Sequence, residues 1–126
     1  MSLKAVSKVE AAHSEGIWAL SWSPSDFLLT GSLDGSVKKW KYNQPNHNLS
    51  LNATTPTQLY GVNSITAVKD NSVAIASYQN GVIRFFDMTD MSEQSRLEPG
   101  ENSIHNNKMS FNIILNAIHI LYLQVF

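Results

Sequence analysis

The sequence predicts an all-β chain built from two copies of one unit, followed by a tail of different character, and three observations carry that prediction. Short apolar runs alternate with polar residues at a period of two, as half-buried strands do. Turn-forming residues punctuate those runs at positions 23–26, 33–36 and 80–81. The pattern then recurs: Gly35 falls on Gly81, Val37 on Ile83, Lys38 on Arg84, Trp40 on Phe86 and Lys41 on Asp87, each pair 46 positions apart.

The elements follow in order. Ile17, Ala19 and Ser21 alternate with Trp18, Leu20 and Trp22 in a first strand. Ser23, Pro24, Ser25 and Asp26 form a turn, because proline presets φ while serine and aspartate bond their own backbone. Phe27 to Thr30 is a short apolar run, and Leu33-Asp34-Gly35-Ser36 is a hairpin signal with Gly35 free to take a positive φ. Val37 to Tyr42 alternates again and makes a third strand. Residues 43–57 are polar with two prolines and read mainly as a connection, within which Leu49 and Leu51, alternating with Ser50, leave room for a short fourth strand. The unit then returns, with a Val/Ile strand, an Asp-Asn-Ser turn, a strand over 73–77, an Asn80-Gly81 turn and a strand over 82–87. The first strand aligns best 45 positions apart, Ile17 on Val62 and Leu20 on Ile65, so the second unit carries one extra turn residue.

Repeats of this period made from short strands indicate propeller blades of about 40–45 residues. The expected organisation is a first repeat at 8–45, a polar connection at 46–57, a degenerate second repeat at 58–100 and an unrelated tail at 101–126. A closed ring would need roughly seven blades and about 300 residues, so the chain reads as a two-blade fragment. Two blades alone leave strand edges and inter-blade faces uncovered, which predicts self-association.

Composition narrows the function classes. Nine basic and ten acidic side chains give a net charge of -1, which argues against a protein held on nucleic acid by bulk charge. With no cysteine there is no disulfide framework, thiolate zinc site or cysteine nucleophile, and the chain reads as intracellular. The segment MSLKAVSKVEAAH has no apolar run of signal-peptide length. The Asn-x-Ser/Thr triplets at Asn48 and Asn52 therefore read as chance matches.

The chemistry-bearing residues have bland readings as well as sharp ones. His13, Ser32 and Asp34 contain the types of a hydrolase triad, yet Ser32 sits at a hairpin without a nucleophile elbow or oxyanion hole, so a structural network is favoured. Lys38, Lys39 and Lys41 flank Trp40, but alternation divides them between two faces and marks a solvated strand rather than a nucleic-acid patch. Trp18 and Trp22 share a face and are either inter-blade core or, if exposed, anchors for a partner. His47, His105 and His119 lack companions at ligand spacing, so no metal site and no cofactor are expected.

With His13 ahead of the first strand, Ser32 and Asp34 at the hairpin and Trp40 near the end of the unit, the chain resembles the WD-repeat family of β-propellers. The resemblance implies that these four side chains form a buried hydrogen-bond network tying the blade together. Lys41 stands where the family often has aspartate, and Ala12 where it often has glycine. The second unit departs further: it lacks the histidine, has Asn80 in place of Asp34 and closes on Phe86-Asp87, which implies a weaker or absent network. More narrowly, AHSEGIWALSW with LLTGSLDGSVKKWKY, and QLYGVNSITAV through VIRFFDM, resemble the opening blades of the small WD-repeat subunits shared by the superkiller (Ski) complex and the Paf complex. That likeness covers roughly residues 8 to 100. It implies a non-catalytic scaffold binding protein subunits in the nucleus and cytoplasm, with no direct nucleic-acid, small-molecule or membrane partner. The alternative it leaves is a generic WD-repeat adaptor of another assembly, such as a ubiquitin ligase.

The tail changes composition abruptly. Ile, Asn, Leu, Phe, Tyr and Lys make up 17 of residues 102–126, and Gly, Pro, Asp and Glu are absent from that stretch. These are largely residues of A/T-rich codons, so the tail reads as translated intron or a mispredicted exon. Residues 111–126 are short of the roughly 20 apolar residues of a membrane span, and Asn112, Asn116 and His119 would mark one polar stripe on a helix.

Overall fold

Eight strands make up the regular structure of the computed structural model, which describes residues 2–23, 25–68 and 72–99. They form two four-stranded antiparallel sheets in plain sequence order. The first sheet comprises β1 (Ile17–Ser23), β2 (Phe27–Ser32), β3 (Val37–Asn43) and β4 (Asn48–Thr54). The second comprises β5 (Val62–Ala67), β6 (Val73–Tyr78), β7 (Ile83–Asp87) and β8 (Glu93–Leu97). No helix occurs among the described residues. Pro24, part of the Asp-Asn-Ser turn, and the whole 101–126 tail with His105 and His119 lie outside them.

Four-stranded meanders of this kind are the blades of a propeller. The repeat extends to irregularities. The β1–β2 ladder slips between Ile17 and Ala19, and the β5–β6 ladder slips between Val62 and Ser64, the corresponding place. The β3–β4 ladder slips between Lys39 and Trp40, and β7–β8 between Phe85 and Phe86. A bulge increases local twist, so each sheet is twisted at the same two points.

Two strands exceed the sequence expectation. The stretch 46–57, expected mainly as connection, is largely β4, which sets Leu49 opposite Tyr42 and Leu51 opposite Trp40. β8 carries one apolar residue, Leu97, and is held by its ladder to β7 and by the ion pair of Glu93 with Arg84. Both are outer strands, where main-chain pairing on one side suffices and polar side chains protect the other edge.

The core lies between the sheets. Cross-strand pairing puts Ala19, Gly31 and Val37 on one face of the first sheet. Leu29 and Val37 are fully buried there, against Val62, Ile65, Ala67, Ala74, Ala76, Tyr78 and Phe86 of the second sheet. Met88 and Met91, from the turn between β7 and β8, extend the same cluster. Close approach depends on two glycines. A Cβ at Gly31 would stand 2.5 Å from Val62 Cγ1, and one at Gly35 would stand 2.0 Å from the Gln58 carbonyl oxygen. Gly35 also has φ +84°, which disfavours any side chain.

Lys39 corrects the solvated-strand reading. It pairs with Leu29, so it shares the face that meets the second sheet, and it is buried. Its ammonium donates to the Met88 carbonyl oxygen and lies 4.3 Å from the centre of the Phe27 ring. Burial lowers its pKa, and the carboxylates of Asp87 and Asp90 offset only part of that effect. Lys38 and Lys41 do remain in contact with solvent. Trp18 and Trp22 are 66% and 59% exposed, with Leu20 between them at 64%. They lie on the face of the first sheet turned away from the second, outside the core that these two sheets share.

Gly31→Ala is expected to lower stability by about 1–3 kcal/mol, because the added methyl forces the sheets apart. A shift of the urea midpoint, followed by tryptophan fluorescence, reports it; an unchanged midpoint would show that Val62 yields without cost.

Candidate functional site

The polar cluster of the first sheet draws on four pieces of chain. The segment before β1 supplies His13, β2 supplies Thr30, the β2–β3 hairpin supplies Asp34 and Ser36, and β3 supplies Trp40. Trp40 pairs with Leu28 one step along from Thr30, on the same face, so its indole N–H donates to the Thr30 hydroxyl at 2.9 Å. The Thr30 hydroxyl lies 2.7 Å from His13 Nε2, and His13 Nδ1 lies 2.9 Å from Asp34 Oδ2. The His13 side chain is completely buried and that of Asp34 is 10% exposed.

One polarity satisfies every atom of this chain. Trp40 can only donate, so Thr30 accepts from it and turns its own proton to His13 Nε2. His13 then carries its proton on Nδ1 and donates it to the carboxylate. Asp34 is the sink: its Oδ1 accepts from the Ser36 amide at 2.8 Å and the Ser36 hydroxyl at 2.6 Å, and its Oδ2 also accepts from the Ser14 amide at 3.2 Å. Burial by itself would raise the Asp34 pKa, but it is outweighed by the two Ser36 hydrogen bonds, then by His13, and the carboxyl is lowered from 3.8 to about 2. Thr30 is buried and its hydroxyl also accepts from the Trp40 indole, so this hydroxyl–imidazole–carboxylate chain ties strands together inside the sheet rather than presenting a nucleophile at the surface.

Ser32 stands elsewhere than expected. Its hydroxyl is shared between the carbonyl oxygens of Glu15 and Gly16, at 3.2 and 3.0 Å, and accepts from the Asp34 amide at 3.0 Å. It pins the segment before β1 to the hairpin, and its described hydrogen bonds go to backbone atoms rather than to the side chains of His13 or Trp40. Thr30 is the hydroxyl that joins them. The signal for it was present: Thr30 lies two residues before Ser32 on the same face, level with the ring of Trp40.

The second sheet fills the corresponding positions differently. Ala76 stands for Thr30, Val82 for Ser36 and Phe86 for Trp40, all buried. Asn80, standing for Asp34, keeps one local bond, accepting from the Val82 amide at 3.3 Å. Tyr78 and Arg84 replace Ser32 and Lys38. The Arg84 guanidinium lies 5.3 Å from the centre of the Tyr78 ring and pairs with Glu93. Burial, with Arg84 opposing and Glu93 adding, pushes the Tyr78 hydroxyl up to about 12. The Tyr78 hydroxyl and Arg84 Nε have no hydrogen-bond partner among the described residues.

Elsewhere, exposed His47 meets the Tyr42 hydroxyl through Nδ1. Among the described residues no three His, Cys, Asp or Glu side chains gather at metal-binding distances. No helix among them is long and apolar enough to cross a membrane.

His13→Ala or Thr30→Val should destabilise the fold by about 1–3 kcal/mol, since each leaves a buried polar atom without its partner. Asn80→Ala should cost less, a difference readable in parallel denaturant titrations. Acid offers a second check. The folded pKa of Asp34 lies below its unfolded value, so its stabilisation is complete above about pH 4 and is lost as pH falls toward 2. The loss is on the order of 1–2 kcal/mol, allowing for partial solvent access. Asp34→Asn should remove that part of the acid dependence.

Residues 5–41 match the family described as WD domain, G-beta repeat. Over 93 residues the chain is 32% identical to the WD repeat-containing protein VIP3 of Arabidopsis thaliana, covering 70% of this chain and 28% of that protein. It is 27% identical over 93 residues to Superkiller complex protein 8 of Dictyostelium discoideum, covering 74% and 30%. The chain thus spans less than a third of the length of these curated relatives. Among solved structures, Saccharomyces cerevisiae Sqt1 superposes with a TM-score of 0.67 at 14% identity, over 80% of this chain and 28% of that one. The computationally designed Ika4 protein superposes with a TM-score of 0.64 at 17% identity, over 79% and 57%. These two likenesses concern the fold. His13, Thr30, Asp34, Ser36 and Trp40 all fall inside the matched stretch, so the residues that run from the segment before β1 into β3 are those of a WD repeat.

Proposed function

We propose that the chain acts as a non-catalytic scaffold that joins protein subunits in an assembly of the Ski or Paf kind, in the cytoplasm and the nucleus respectively. The observation that carries this reading is the length of the likeness to Superkiller complex protein 8 and to VIP3. It runs for 93 residues in each case, well beyond the single matched repeat. The internal chemistry supports it, because the Thr30 and Ser32 hydroxyls near His13 and Asp34 are buried.

A scaffold surface of this class is assembled from loops of neighbouring blades, and anchors on it count only where surrounding contacts exclude water. A tagged chain continued through further blades is therefore expected to recover Ski or Paf subunits. The 126-residue chain is expected to recover them at least about tenfold less, in line with the loss of one or two such anchors. Affinity purification with quantitative mass spectrometry decides. Failure of the continued chain to recover either set of subunits would overturn the reading in favour of an adaptor for another assembly.

A further inference from the structure

The hairpins that lead into β3 and β7 share one backbone design. The first closes through the Gly35 N–H donating to the Ser32 carbonyl at 3.1 Å and the Ser32 N–H donating to the Ser36 carbonyl at 3.2 Å. The second closes through the Gly81 N–H donating to the Tyr78 carbonyl and the Tyr78 N–H donating to the Val82 carbonyl, both at 2.9 Å. With φ +84° at Gly35 and +86° at Gly81, each is a type I turn followed by a left-handed glycine bulge. The residue before the glycine differs. It is Asp34 in the first hairpin and Asn80 in the second, and Asn80-Gly81 is the one Asn-Gly pair in the sequence.

An asparagine followed by glycine carries its own reaction. The glycine amide nitrogen can attack the side-chain carbonyl carbon, and no Cβ stands in the way. Here the Gly81 nitrogen would lose its proton and bond to Asn80 Cγ, while the side-chain nitrogen departs as ammonia. Water then opens the resulting succinimide at either of its two carbonyls. One opening leaves aspartate; the other leaves isoaspartate, whose main chain runs through the former side chain. The balance needs water alone as co-reactant.

The closed hairpin restrains that reaction. The Gly81 N–H is held by the Tyr78 carbonyl. Asn80 is the third residue of the turn, where ψ is about 0°, and ring closure needs the following peptide plane turned well away from that. Gln79 anchors the turn from outside: its N–H donates to the Gly61 carbonyl at 2.9 Å, and its Oε1 accepts from the Gly61 N–H at 3.2 Å. The Asn80 side chain itself is lightly held, with one bond among the described residues, from the Val82 amide. Asp34, by contrast, is bonded to His13, Ser14 and Ser36, and an ionised carboxylate is a poor target for an amide nitrogen.

We propose that Asn80 is a site of non-enzymatic deamidation, reached through opening of the 78–82 hairpin and yielding aspartate or isoaspartate. The products differ in consequence. Aspartate keeps the Val82 bond and places at 80 the residue type that the first hairpin carries at 34. Isoaspartate lengthens the main chain inside a tight loop, so the bonds of Tyr78 to Gly81 and Val82 cannot both close. The inference concerns the hairpin alone and is independent of the assembly the chain serves.

Peptide mass spectrometry on the full 126-residue chain in mildly alkaline buffer follows the amide-to-acid mass gain at residue 80. Labelled methyl transfer by an isoaspartyl methyltransferase counts the isoaspartate. Conversion is expected in the native chain, and at least about tenfold faster in unfolding urea, since the closed hairpin reacts only through opening. Gln79→Ala should raise the native rate about threefold or more, the worth of one hydrogen bond, and leave the rate in urea unchanged. Asn80→Gln should abolish fast conversion in both, because its attack would need a six-membered ring. Asn80→Asp should keep the wild-type urea midpoint, whereas aged chain rich in isoaspartate should unfold at lower urea. A native rate equal to that in urea overturns the proposal, as does a native chain that shows no conversion over weeks. So does a Gln79→Ala chain that keeps its sheets by circular dichroism yet converts no faster than wild type.

Discussion

The Thr30 hydroxyl has one proton and two lone pairs, and the first sheet is arranged around where they go. It accepts from Trp40 on β3 and reaches His13 from the segment before β1, so a single side-chain oxygen on β2 fixes three pieces of chain relative to one another. From His13 the chain of bonds ends on Asp34, which clamps the hairpin by accepting from the Ser36 amide and hydroxyl. The clamped hairpin in turn holds Gly35 against Gln58 and Ser32 against the backbone of Glu15 and Gly16. Buried polar groups in a low-dielectric setting strengthen one another when all are satisfied, and each is costly if one is lost. This explains why the hydroxyl, imidazole, carboxylate and indole must occur as a set.

The second sheet reaches the same backbone by another route. Ala76, Val82 and Phe86 occupy the places of Thr30, Ser36 and Trp40, so apolar packing replaces the directional bonds. Replacing a complete polar set by apolar side chains of suitable volume is often neutral for stability. What changes is the polar load on the neighbouring positions. Tyr78 and Arg84 stand in for Ser32 and Lys38, and they bring a hydroxyl and a guanidinium nitrogen that find no partner among the described residues.

Much of this was legible in the residues, and the parts that were not share a cause. Turn chemistry and alternation located β1, β2, β3, β5, β6 and β7, because those strands bury a face and their sequences show it. β4 and β8 were legible in part or not at all. An outer strand such as Glu93–Leu97 is held by main-chain bonds, which leave no mark on composition. Lys39 was misjudged because alternation reveals that Lys38 and Lys39 face apart but not which face meets a second sheet. His13, Asp34 and Trp40 could be singled out by type. Choosing Thr30 over Ser32 required knowing that the ring of Trp40 reaches diagonally across the ladder to residue 30 while Ser32 is already engaged by the backbone.

Every strand pairs only with its neighbours in the chain, and the set of bonds that locks the first sheet closes with residues no later than Trp40. During synthesis, β1 to β4 can therefore zip together as soon as Thr54 has left the ribosome, before β5 has emerged. Closing short loops is entropically cheap, and domains rich in local pairings fold fast. The Gly31 face would then wait, open, for Val62 to arrive. Each completed blade becomes a template for the one that follows, so such a chain can assemble in the order in which it is made.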